Sequence, residues 1–409
     1  MSATTVMERC DILGRLSEEP GMLTRPSLSP SMQQVNSLVA GWMREAGMSV
    51  QQDAIGNIFG RYEGQQAGMQ TLVLGSHLDS VRNAGRYDGP LGVLVALSCV
   101  ERLYRRGERL PFALEVVGFT DEEGLRFQHA YLGSKSATGM LAPDALLLTD
   151  ATGTTLAEAI RGYGGIPEAL KQPRWRREDL LGYCEVHIEQ GPVLEAQQVP
   201  IGVVTAIAGQ SRLNVRCIGL AGHAGTVPMS LRRDALCAAA ECLLLIEKEA
   251  CEYPGLVATV GQASVLPGAS NVIPGEVRFS IDIRHQDDTT RARALSRVLE
   301  QIRASCQRRG ITVQWEVLQE SKAVHCQPRL RRLLERAVEA SGYPLMTLPS
   351  GAGHDAVVMA ELTDIAMLFV RCRGGISHHP DEAVAVEDVA IALDTLERFV
   401  LLLAQEAAV

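Results

Sequence analysis

The sequence has no excess of positive charge: 39 Lys and Arg stand against 48 Asp and Glu, a formal net charge of −9. A nucleic-acid partner is therefore not expected, because phosphate binding needs a basic face. Long apolar runs are also missing. Leu91 to Val100 and Phe399 to Ala404 fall well short of the ~20 residues that span a bilayer, so no membrane partner is expected. The opening stretch, MSATTVMERCDILGRLSEEP, carries acids early and no continuous apolar segment, which argues against a secretory signal. The ten cysteines, scattered from Cys10 to Cys372, contain no C-x-x-C pair. A disulfide framework would need an oxidising compartment, and a chain of this size folds without one. The expectation is reduced, mostly buried thiols in a cytoplasmic protein, with no thiolate zinc site. No internal repeat and no low-complexity tract is visible.

What is present is ordinary globular material, 46% apolar and 21% charged over 409 residues, enough for two domains. Val35, Leu38, Val39, Trp42 and Met43 recur at helical spacing, predicting a helix over 31–46 with Ser31 as cap and Gly47 as stop. Strands are predicted at Asn57 to Tyr62, Thr71 to Gly75 and Phe112 to Thr120, with a helix from Leu91 to Arg106 before the last. Apolar strands alternating with helices indicate α/β architecture: a large, mostly parallel sheet with helices on both faces. Residues 141–180 read as loop-rich. From about Gly209 the pattern changes to β-α-β-β-α-β. Arg212 to Gly219, Leu256 to Val265, Val277 to Ile283 and Ile311 to Val317 are the strands, and Leu231 to Cys251 and Thr289 to Arg308 the helices. This is the order of the ferredoxin-like split motif. After about Lys322 long helices and apolar strands return, among them Ile365 to Val370. The predicted organisation is a discontinuous catalytic domain, 1–208 and 322–409, with a small α+β lid domain inserted at 209–321.

Polar residues cluster at the predicted strand ends. His77 and Asp79 lie in GSHLDS, Asp88 in RYDGPLG, Asp121, Glu122 and Glu123 in DEEG, His187 in CEVHIEQG and His378 in GGISHHPDE. Each alone is an ordinary polar turn. In open α/β sheets, however, ligands bind beyond the carboxyl ends of strands, so all five segments can share one crevice. Three imidazoles and two or three carboxylates are the mixed N/O set that suits Zn²⁺, with Mn²⁺ as an alternative. Asp88 is the natural bridge between two ions. Of Glu122 and Glu123, one can coordinate while the other serves as general base beside a bound water. His379 abuts His378 and can exchange roles with it. A second set lies mainly in the lid: His223 among glycines in AGHAGTVP, Asn271 in GASNVIPG, Arg284 at the end of VRFSIDIR, and Arg212. Gln190 and the GAGHD string, with Gly353 and His354, belong to the large domain. Arginines with an Asn donor suit bidentate capture of a carboxylate.

The strings GSHLDS, YDGPLGV, DEEGLRF, HIEQGPVLE, GHAGTVPMSLRRDA, NVIPG, SGAGHDA and GGISHHPDE resemble the dinuclear metal amidohydrolases that cleave N-carbamoyl groups. That family includes allantoate amidohydrolase and N-carbamoyl-L-amino acid hydrolase, and is akin to the aminoacylase and carboxypeptidase metallopeptidases. The resemblance covers nearly the whole chain in order. It implies one metal held by His77, Asp88 and His187, and a second by Asp88, Glu123 and His378. It implies Glu122 as general acid/base, Asp79 as the group orienting the ligands, and His223 as the transition-state donor, supplied across a homodimer formed through the lid. Gln190, Arg212, Asn271, Arg284, Gly353 and His354 would surround a small ureide substrate. Arg212, in GQSRLNV, resembles the allantoate enzymes. Allantoate is thus the expected substrate, with N-carbamoyl-L-amino acids or β-ureidopropionate as alternatives and a non-catalytic ureide-binding protein as the remote one.

Overall fold

The computed structural model describes residues 2–407. The chain divides into two compact units. One holds the residues up to Thr205, Cys326–Leu348 and those from Ala352 on; the other holds Ala206–His325 with Pro349–Gly351.

A nine-stranded sheet organises the first unit. Its centre is parallel: Thr71–His77 lies between Ala113–Phe119 and Leu180–Ile188, and Ile365–Val370 follows on the far side of Leu180–Ile188. The flanks are antiparallel, with Ser49–Gln52 and Ile58–Tyr62 on one side and Ile201–Ile207 on the other. Every residue of Thr71–His77, Ala113–Phe119 and Ile365–Val370 is buried. These strands are covered on both faces, which is why they read as unbroken apolar runs rather than as alternation. The helix Pro90–Arg106 is itself buried along most of its length, from Pro90 through Glu101 and at Leu103.

Several local expectations need correction. The helix predicted at 31–46 runs Pro30–Glu45, and its cap is Ser29, whose hydroxyl accepts the Met32 N–H. Proline lacks an N–H and favours the first helical position, so the cap must precede it. Ser31 instead donates its N–H to Glu18 Oε1 at 2.7 Å. The stretch 141–180 contains a helix, Leu156–Gly162, opened by a capping box between Thr155 and Glu158. A further helix, Ala3–Leu13, buries Val6, Cys10 and Leu13.

The second unit is a five-stranded antiparallel sheet ordered Ala263–Leu266, Glu276–His285, Gly209–Ile218, Thr312–Ser321, with Val257–Thr259 also on Glu276–His285. Leu213, Val215, Cys217, Val277, Phe279, Ile281 and Ile283 face a core shared with the helices Ala235–Cys251 and Asp288–Arg308. The strand expected over Leu256 to Val265 is split in two. Thr259 pairs with Asp282 and Ala263 with Phe279, so one side carries an extra residue, a β-bulge. Ser280 closes it by accepting the Gln262 N–H at 3.1 Å. In the same core Cys217, Cys242 and Cys306 gather within 4.8 Å of one another, a grouping that no spacing in the sequence announces. All ten cysteines are free and eight are buried. Among the described residues no helix is long and apolar enough to cross a membrane.

Candidate metal centre

The parallel strands deliver their polar residues at one end. His77 is the last residue of Thr71–His77, and its Nδ1 lies 3.1 Å from the Asp79 carbonyl. His187, near the end of Leu180–Ile188, likewise turns Nδ1 to the Ile188 carbonyl at 2.9 Å. A carbonyl accepts only, so each Nδ1 is held as a donor and each Nε2 is the ring atom left to face the cluster. Both Nε2 atoms face Asp88 Oδ1, at 3.5 Å from His77 and 3.1 Å from His187. The other carboxylate oxygen, Oδ2, lies 3.2 Å from His378 Nε2, which is in turn 3.5 Å from Glu123 Oε1. Glu122 and Glu123 also fall within 4.8 Å of His77.

The turn that carries these two glutamates is held by Asp79. Its Oδ1 accepts the Glu122 N–H at 3.1 Å and its Oδ2 the Glu123 N–H at 3.2 Å. Asp121 and Gly124 take φ of 58° and 65° to complete the turn. Gly89, next to Asp88, has φ 82°, and a Cβ there would meet the His77 ring at 2.5 Å. Only glycine lets the Asp88 loop approach so closely.

The electrostatics are those of crowded, buried acid. Burial alone would raise the Asp88 carboxyl, but hydrogen bonds from His187, His378 and His77 outweigh it and hold it well below the carboxylate range. Burial raises Glu122 far above the usual range, reinforced by Glu123, Asp355 and Asp79 and opposed by His77. Burial, then Asp88, lifts Glu123 to about 7. The nearby carboxylates carry His378 up to about 9. Asp355 and Glu185, buried beneath, are raised for the same reason as Glu122.

Divalent cations fit this donor set. Ligand atoms each ~2.1 Å from one ion stand roughly 3.0–3.4 Å apart, close to the spacings around Asp88. The three imidazoles offer their Nε2 atoms, and the surplus of buried acid calls for positive charge.

The remaining predicted residues divide between the units. Gln190, at φ 58°, donates to Asp88 Oδ2 at 2.8 Å. His354 is 1% exposed, with its ring edge-on to His187 at 4.5 Å between centroids; it thus touches a candidate ligand. Gly353 is fixed by Tyr131, whose hydroxyl would lie 1.9 Å from an added Cβ. In the second unit exposed His223 sits on a two-residue strand opposite Val272, beside Asn271, whose carbonyl accepts the Ala224 N–H. Arg212 and Arg284 both bind Asp282, through Arg212 Nε at 2.9 Å and Arg284 Nη2 at 2.9 Å.

Sequence reasoning missed Glu185, Asp355, Ser377 and Glu382. Glu185 shares a strand face with His187 two residues on, a period-2 signal that was available. Glu185 accepts hydroxyls from Ser76 at 2.7 Å and Tyr183 at 3.0 Å.

Comparison with known proteins agrees with this architecture. The model of peptidase family M20/M25/M40 matches residues 73–402. The chain is 42% identical to the N-carbamoyl-L-amino acid amidohydrolase of Geobacillus stearothermophilus, over 96% of each chain. It is 41% identical to the allantoate deiminase of Arabidopsis thaliana, over 93% of this chain and 78% of that one. The crystal structure of a hydantoinase/carbamoylase family amidase from Burkholderia multivorans superposes with a TM-score of 0.92 at 33% identity, covering 98% and 97% of the two chains. The chain belongs to peptidase family M20/M25/M40 and is a metal-dependent hydrolase of its amide-cleaving members.

Proposed function

We propose that this enzyme hydrolyses the ureido C–N bond of allantoate, releasing ammonia and CO₂ and leaving ureidoglycine. The supporting observation for hydrolysis is Glu122, a buried carboxyl beside the candidate ligands with its own hydrogen-bonding turn fixed by Asp79. A pure ureide binder has no use for such a group. A carboxyl fixed beside the ligands is placed to take up a proton and give it back.

In this reading His77, Asp88 and His187 hold one divalent ion, and Asp88, Glu123 and His378 a second, zinc or manganese. When bound, such ions supply Lewis acidity that polarises the ureido carbonyl and makes water acidic near neutral pH. Glu122 accepts the proton of the attacking water and returns it to the departing ammonia. The carbamate that remains loses CO₂. His223 donates to the developing oxyanion, an interaction stronger in the transition state than in the ground state. The Arg284 and Arg212 forks, with Asn271, bind the substrate carboxylate, while Gln190, Gly353 and His354 complete the surroundings.

The similarities to an allantoate deiminase and to an N-carbamoyl-L-amino acid amidohydrolase are almost equal, so overall identity does not separate the substrates. Arg212 favours allantoate, whose two ureido groups use an additional donor fork better than an alkyl side chain does. The 42% identity to the carbamoylase keeps N-carbamoyl-L-amino acids as the second reading. The test is ammonia release by the apoprotein reloaded with Mn²⁺ or Zn²⁺, across allantoate and several N-carbamoyl amino acids. Faster turnover of allantoate is expected, and a preference for an apolar carbamoyl amino acid would reverse the assignment. Arg212→Leu should cost ~10–100-fold on allantoate, the scale of one charged hydrogen bond, and far less on N-carbamoyl-leucine. Equal losses would remove Arg212 from the specificity argument.

The second unit is the proposed dimerisation surface, through which one subunit lends His223 to the other. Leu236 and Leu244, 43% and 67% exposed on one face of Ala235–Cys251, and Val257 at 57%, support an apolar contact there. Mixing inactive His223→Ala and Glu122→Gln chains should restore part of the rate. The free thiols suit a reducing, cytoplasmic setting.

A further inference from the structure

Asp88 is asked to do more than any other side chain in the centre, because each of its two oxygens faces a different group of imidazole and carboxylate donors. A carboxylate shared in this way must be fixed in position and in rotation. The residues that fix it are not among the candidate ligands. Glu382 is 4% exposed, and its Oε1 accepts two successive backbone N–H groups, from Tyr87 at 2.8 Å and from Asp88 itself at 3.1 Å. Its other oxygen lies 3.1 Å from Ser377 Oγ, and that hydroxyl lies 2.9 Å from Asp88 Oδ2. One side chain therefore reaches Asp88 from both ends, through the backbone directly and through the carboxylate by way of Ser377. The packing is close: a Cβ on Gly85 would come within 2.3 Å of Glu382 atoms. Glu382 thus ties the loop that carries Asp88 to the loop that carries His378, nearly 300 residues apart in sequence.

We propose that Glu382 and Ser377 are positioning residues that set the bridging carboxylate of Asp88, so that the affinity of the centre for divalent cations depends on two side chains that ligate none. The inference rests on the two-ion reading given above. Residues that orient metal ligands typically change affinity by ~10–100-fold when removed. Because Ser377 meets Oδ2 alone, its loss should fall mainly on the ion shared with Glu123 and His378. Loss of Glu382 moves the whole Asp88 loop and should weaken both ions.

The experiment is calorimetric titration of chelator-treated full-length protein with Mn²⁺, for wild type, Glu382→Ala, Glu382→Gln and Ser377→Ala, with thermal unfolding of each apoprotein alongside. Expected are two binding events in wild type, both weakened ~10–100-fold in Glu382→Ala. Glu382→Gln, which keeps an acceptor for the two N–H groups, should recover most of the affinity. Ser377→Ala should weaken one event by ~10-fold and leave the other. A purely structural role would lower the melting temperature of Glu382→Ala while the folded fraction binds Mn²⁺ as wild type does, and that result overturns the proposal. If Glu382→Ala does not fold, Ser377→Ala decides: two unchanged binding events refute the proposal, and one weakened event supports it. Wild type that takes up no divalent ion refutes the two-ion reading itself and the inference with it. Wild type that binds while the variants bind equally well refutes only the roles of Glu382 and Ser377.

Discussion

The two units handle charge in opposite ways. On the open face of the lid sheet two acids hold two arginines each: Asp282 holds Arg212 and Arg284, and Glu276 holds Arg216 and Arg278. These groups are partly or largely exposed, and the pairs neutralise one another. At the strand ends of the large unit, Asp79, Asp88, Glu122, Glu123, Glu185 and Asp355 are buried or nearly so, with imidazoles as the nearby cationic partners. The pKa directions record the contrast. Asp282 is depressed to about 2 because hydrogen bonds from Arg284, Gln210 and Arg212 outweigh burial, whereas Glu122 and Asp355 are driven up by burial and by neighbouring carboxylates. Paired surface charge is self-sufficient and worth little. Buried acid in excess is costly unless positive charge arrives from outside. The charges on the lid face need no ion to balance them, whereas the strand-end cluster is built to receive cations.

The contrast can be broken most sharply at Glu122. Glu122→Gln should lower turnover ~10²–10⁴-fold, the usual contribution of a general acid/base, with ion content by elemental analysis unchanged. Turnover near wild type would put the base elsewhere. Next in size is removal of the ions. An ion present at about 100 times its Kd stabilises the folded state by ~2.7 kcal/mol, so chelation should loosen the large unit by that order. Hydrogen exchange locates the effect: protection should fall in Thr71–His77 and Leu180–Ile188 and hold in Gly209–Ile218. Equal loosening in both units would contradict the contrast.

The smallest effect belongs to the lid. In the folded state Asp282 stays ionised down to about pH 2, against an ordinary value of 3.8. The stabilisation is therefore present above pH 3.8 and disappears as the pH falls through 2. It amounts to ~1 kcal/mol once solvent screening of a partly exposed pair is allowed for. Urea unfolding of wild type and Asp282→Asn should differ by that much at pH 5, and the gap should narrow at pH 3. A gap that widens in acid would reverse the sign of this interaction.

Much of the centre was legible because chemistry-bearing residues stand out at the ends of apolar runs. His77, Glu123, His187 and His378 each terminate or follow such a run, Asp88 stands just before one in RYDGPLG, and convergence at the strand ends brings them together. Glu382 and Ser377 lay in the same GGISHHPDE string as His378, but their partners are nearly 300 residues away and no local period points to them. The cysteine trio was invisible for the same reason, being assembled from a strand and two helices. Local errors had local causes. Pro30 moved a cap by two residues, and one extra residue between Thr259 and Ala263 split a strand that hydropathy alone runs together. The helix Leu156–Gly162 did carry a signal, the Thr155-x-x-Glu158 box, in a stretch whose weak periodicity concealed it.

The most direct measurement is anomalous X-ray scattering from crystals grown with Mn²⁺. Two peaks per chain are expected, one beside Asp88 Oδ1 with His77 and His187 and one beside Oδ2 with Glu123 and His378. A single peak, or manganese bound away from Asp88, would contradict a centre built around that shared carboxylate.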